Sequence, residues 1–132
     1  MSAEFAVLHW GRFSGPTREW GVEASTGHLG GPVDIDLNGL AGTFKQVFRS
    51  GGDTALFGEF GAGMVHLSAS TRDLATQTNF QLFAGIGAQL RNGDSGAWQV
   101  QYRFQHISNA DREYPNTGIN NSLLFAGYVW YR

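Results

Sequence analysis

Residues 98–108 read WQVQYRFQHIS. Trp98, Val100, Tyr102 and Phe104 alternate with Gln99, Gln101, Arg103 and Gln105. A period of two is that of a β-strand, in which residues i and i+2 share a face. One face is apolar and aromatic, the other polar. His106 and Ser108 fall in phase with the apolar row. A base and a hydroxyl therefore continue a greasy surface at the end of a strand. The following residues, NADREYPNTGIN at 109–120, are rich in turn formers and lead into a last strand.

The alternation recurs along the chain. Strands are predicted over Glu4–Phe13, Glu19–His28, Val33–Phe48, Thr54–Leu67, Asn79–Arg91 and Asn120–Arg132, besides the one ending at His106 and Ser108. In the second, Trp20, Val22 and Ala24 oppose Glu19, Gly21, Glu23 and Ser25. In the third, Val33, Ile35 and Leu37 oppose Asp34, Asp36 and Asn38, but over GLAGTFKQVF (39–48) the alternation is lost and the register stays open. Breaks fall at Ser14-Gly15-Pro16, Gly30-Gly31-Pro32, Ser50-Gly51-Gly52-Asp53 and Asn92–Gly96. No segment has a convincing three-to-four spacing, and 19 glycines disfavour helices. The reading is all-β: about seven strands in a single barrel domain over residues 1–132.

Hydrophobic residues make up 42%, yet no run approaches the roughly 18–20 apolar residues of a membrane helix. That excludes a helical span, not a barrel, whose strands need about 9–11 residues. A net charge of −2 without a basic block argues against nucleic acid as a partner. Cysteine is absent, so there is no disulfide or thiolate metal site. The start, MSAEFAVLHW, lacks the pattern of a secretion signal. Periodicity does not say which face is inside. A soluble, lipocalin-like binding barrel buries the apolar face; a membrane barrel turns it outward.

Two residues apart on a strand, the Cα atoms of His106 and Ser108 lie roughly 6.5–7 Å apart. An imidazole spans that gap, so it can serve as general base for the hydroxyl. His-x-Ser alone is a common pair, but here it has company. His106-Ile107-Ser108-Asn109-Ala110, then Pro115-Asn116 and Gly118-Ile119, closely resemble the signature of the outer-membrane lipid A 3-O-deacylases, the PagL-like family. Glu59-Phe60-Gly61-Ala62-Gly63 resembles a family E-x-G-x-G strand, and Asn79-Phe80 with Gly85-Ile86-Gly87 the strand after it. The resemblance is good from about Val47 onward and faint before.

It implies an eight-stranded antiparallel up-and-down barrel in the Gram-negative outer membrane. It also implies an esterase that hydrolyses the 3-position acyl ester of lipid A in lipopolysaccharide. By position, His106 is the base, Ser108 the nucleophile and Asn116 an oxyanion-hole residue, with Asn109 beside the nucleophile. The position that orients the histidine carries glutamate in family members and is Asn120 here. Asparagine accepts a hydrogen bond from imidazole but supplies no charge, which implies reduced or differently tuned activity. Glu113 and Asp111 are alternative acids. A catalytically weak or inactive barrel of the same ancestry is therefore a rival. No cofactor or metal is needed. The resemblance also implies one more strand, expected before Glu4, because a closed antiparallel barrel needs an even count.

With both termini on the periplasmic side, as the resemblance implies, His106 and Ser108 fall near the outer rim on the lipid face. Lipid A would reach them sideways, with the loop Asn109–Gly118 supplying oxyanion donors. Partners are then lipopolysaccharide and outer-membrane lipid; monomer and homodimer are both open. His9, His28 and His66 are scattered and read as rim or surface residues. Asp34 and Asp36 are expected to point inward, neutralised by Arg12, Lys45 or Arg103, and Glu59 to join an interior polar network. Trp20, Trp98, Tyr128, Trp130 and Tyr131 are expected in interface girdles.

Overall fold

The structure, a computed structural model, describes residues 2–31, 34–68, 77–108 and 118–131. Seven strands form one sheet in sequence order: β1 (Ser2–Phe13), β2 (Arg18–Gly30), β3 (Ile35–Gly51), β4 (Thr54–Leu67), β5 (Thr78–Arg91), β6 (Gly96–Ser108) and β7 (Ile119–Trp130). Every neighbouring pair is antiparallel, an up-and-down meander. Short turns at 14–17, 52–53 and 92–95 lie at one end. The strand ends Gly30, Ile35, Leu67, Thr78, Ser108 and Ile119 lie at the other, the connection end.

The sheet curls. Four strand spacings of about 4.8 Å separate β2 from β6 in a flat sheet, roughly 19 Å. Yet Arg103 on β6 donates to both oxygens of Glu23 on β2, at 2.6 and 3.0 Å. Its Nη2 also donates to Glu59 on β4 at 2.8 Å, and the guanidinium lies 3.9 Å from the Phe83 ring centroid. Gln101 donates to Glu59, Gln105 to Gln81, and Asn121 to Gln105. Side chains from five strands thus meet in one polar interior, where each buried carboxylate and amide has a partner to offset its desolvation.

The faces sort accordingly. Glu19, Glu23, Lys45, Glu59, Gln81, Gln101, Arg103 and Gln105 are buried inside. Leu8, Trp10, Trp20, Val22, Leu40, Phe60, Ile86, Trp98, Val100, Phe104, Leu124 and Trp130 are exposed outside. This is the membrane-barrel arrangement of the two open choices, not the lipocalin-like one. Tyr128 packs edge-on between Trp98 and Trp130, with both ring centroids at 4.9 Å, in an aromatic band at the turn end.

At the connection end the interior changes character. Leu29, Ile35, Leu37, Val65, Leu67, Ile107 and Ile119 form an apolar cluster there. The outward residues beside it are polar: His28, Asp36, Asn38, His66 and Thr78. The reversal corrects the expectation that Asp34 and Asp36 point inward. Asp36 faces out and accepts from His28 Nδ1 at 2.8 Å, and Asp34 is 3.8 Å from the same ring. Ile35 and Leu37 occupy the inside because this end is where the apolar cluster forms. Arg12 is exposed, while Lys45 and Arg103 are inside as expected. His9 is no rim residue: it lies on the inward face, 2.7 Å from Glu19. Tyr131 leaves the aromatic band, bonding Gln89 and packing 6.2 Å from Phe13.

The open register of 39–48 is also resolved. Ala41, Thr43 and Lys45 face in; Leu40, Gly42 and Phe44 face out. A β-bulge between Val47 and Arg49 then shifts the pairing with β4, which ends the simple alternation.

Candidate active site

β6 carries two of the site residues to the connection end. Ile107 between them has no exposed surface and is fixed in the interior cluster. A strand that buries Ile107 must turn His106 and Ser108 outward. His106 is paired across the sheet with Leu82 on β5 and Asn120 on β7; Ser108 is paired with Phe80. Cross-strand partners share a face. Ser108 thus lies in a row with Phe80, Met64 and Leu40, and the next row toward the rim is Thr78, His66 and Asn38. The pair sits where the outward apolar surface gives way to polar groups.

The imidazole has a defined orientation. His106 Nδ1 is 2.6 Å from Asn120 Oδ1. A carbonyl oxygen only accepts, so Nδ1 carries the proton and Nε2 presents its lone pair. The Nε2 edge lies against Gly118, a residue that sequence reasoning placed in the motif without a role. Gly118 has φ +81°, and a Cβ there would come within 2.8 Å of His106 Cε1 and 3.4 Å of Nε2. Glycine is needed twice over, for its backbone and for the space of the ring. The sequence signal is a single glycine closing the loop before an apolar residue.

His106 and Ser108 open into a depression of about 510 Å³ on the outward face, lined also by Ala62, Gly63, Met64, Phe80, Gln81 and Leu82. Its outward side chains are apolar, since Gln81 is turned inside. The E-F-G-A-G run supplies the small residues of this floor, a further signal that the motif reading left unused. The candidate oxyanion residues Asn109 and Asn116, and the alternative acids Asp111 and Glu113, lie outside the described residues. No group of three or more metal-ligating side chains occurs among the described residues.

The chain matches the family model of the lipid A 3-O-deacylases (PagL) over residues 2–129. The match extends well before Val47, where resemblance by motif is faint. A crystal structure of the outer membrane enzyme PagL superposes with a TM-score of 0.80 at 26% sequence identity, covering 96% of this chain and 88% of that one. No curated protein matches. With an all-β meander, an outward apolar face and a family match along nearly its whole length, this chain belongs to the lipid A 3-O-deacylase (PagL) family.

Proposed function

We propose that the protein is an integral outer-membrane barrel domain that removes the 3-position acyl chain of lipid A with a serine–histidine mechanism. Hydrolysis of lipid A follows from family membership. The assignment of residues rests on one observation: His106 and Ser108 share the outward face, with the imidazole tautomer set by Asn120.

Ser108 Oγ attacks the acyl carbonyl while His106 Nε2 takes its proton. The tetrahedral intermediate collapses, the C–O bond to the sugar breaks, and the imidazolium returns the proton to the sugar oxygen. Water, deprotonated by the same nitrogen, then attacks the acyl-serine and releases a 3-hydroxy fatty acid. Asn120 keeps Nδ1 protonated and the ring in place. Asn116 and Asn109 are proposed to donate to the oxyanion. The location supports the substrate: lipid A acyl esters lie between sugar and hydrocarbon, and Ser108 lies in the last apolar row, beside a polar one.

A fluorophosphonate carrying an alkyl chain tests the nucleophile. Phosphonylation of the peptide containing Ser108, lost in His106→Ala, is the expected result. Labelling that is unchanged in Ser108→Ala overturns the assignment.

A further inference from the structure

Resting on that reading, we infer that the acyl chain under attack crosses from Ser108 over β5 to β4, and that Ala62 sets how long a chain is accepted. The depression around Ser108 runs across three strands, from His106 and Ser108 to Ala62, Gly63 and Met64. Two cross-strand rows bound it. One is Ser108, Phe80 and Met64; the other is His106, Leu82 and Ala62. Between the rows run Gln81 and Gly63, whose side-chain positions face inward. Gln81 Nε2 donates to the Met64 carbonyl oxygen at 3.2 Å, so even its amide is engaged within the wall. The track between the rows is therefore bare backbone, with apolar side chains along its edges.

The far end of the track is unevenly walled. Met64 is 46% exposed and Phe60, on the other side of Ala62, is 52% exposed. Ala62 is the short residue between these two exposed side chains. Two strand spacings of about 4.8 Å place it roughly 10 Å from the β6 pair. That is the reach of about seven or eight methylenes with C–C bonds of about 1.5 Å. A chain longer than this passes over Ala62; a larger side chain there closes the way.

The test is the chain-length profile of kcat/KM for p-nitrophenyl esters from butanoate to tetradecanoate, measured on the full chain in detergent micelles. Ala62→Phe and the milder Ala62→Leu are compared with wild type and with Ala84→Phe, which lies on the same face outside the depression. Hydrolysis of dodecanoate and tetradecanoate is expected to fall about tenfold or more in Ala62→Phe, with butanoate and the Ala84→Phe profile unchanged. Ala62→Leu should shift the profile in the same direction by less, and serves alone if the phenylalanine variant does not fold. Equal effects at all chain lengths, or none, overturn the inference. Wild-type hydrolysis that survives in Ser108→Ala instead overturns the serine reading beneath it.

Discussion

His106 and Asn120 are directly paired residues of adjacent antiparallel strands, and their side chains meet on the outward face at 2.6 Å, Nδ1 to Oδ1. The contact fixes which nitrogen carries the proton. It does not supply negative charge to an imidazolium formed during reaction. Asn120→Glu is expected to raise kcat, because a carboxylate keeps the geometry and stabilises that cation. Asn120→Ala should lower kcat about tenfold to a hundredfold, as the ring loses its tautomer and position. The turnover of lipopolysaccharide by both variants checks this; a rate unchanged in either one argues against the role.

Gly118→Ala should lower kcat with little change in KM. The new methyl group meets the His106 ring at 2.8 Å, and the backbone is held at φ +81°. Displacing a catalytic group by about 1 Å costs on the order of a hundredfold. Backbone strain adds about 1–3 kcal/mol of instability. Steady-state kinetics with an unfolding titration separate the two effects. A loss of stability with normal kcat would make Gly118 purely structural.

Arg103→Met should destabilise the barrel by about 3–5 kcal/mol, since it strands the buried carboxylates of Glu23 and Glu59. Adding Glu59→Gln should recover part of that loss by removing one uncompensated charge. Urea unfolding from lipid vesicles measures both. Stability equal to wild type in Arg103→Met would mean that the interior cluster does not hold the sheet curled.

All four tryptophans, Trp10, Trp20, Trp98 and Trp130, face outward, each more than half exposed. In bilayers they should be strongly quenched by brominated acyl chains and weakly by aqueous acrylamide. The reverse pattern would contradict the membrane orientation.

Much of this was legible in the residues. The alternation of Trp98–Gln105 gives both faces of β6, and Lys45, Glu59 and Arg103 could be assigned to an interior network because a polar row needs mutual partners. What misled was the assumption that the apolar residues of a strand face outward along its whole length. At Ile35 and Leu37 the apolar residues are inside, so Asp36 is outside, whereas on β6 the phase of the apolar row carries His106 and Ser108 outward as read. Strand order across the chain is not encoded in period two, so the contact of Arg103 with Glu23, 80 residues away, required the curled sheet. The acyl track was hidden for a related reason. Ala62, Leu82 and His106 become neighbours only through register, and small residues carry no signal of their own.

The most direct measurement is mass spectrometry of lipopolysaccharide incubated with wild type and with Ser108→Ala. Wild type should release free 3-hydroxy fatty acid and leave lipid A lighter by one 3-position chain. Ser108→Ala, folded and inserted as wild type, should release none. Equal release by the two proteins, or intact lipid A with wild type, would contradict an outward-facing serine–histidine pair as the catalyst.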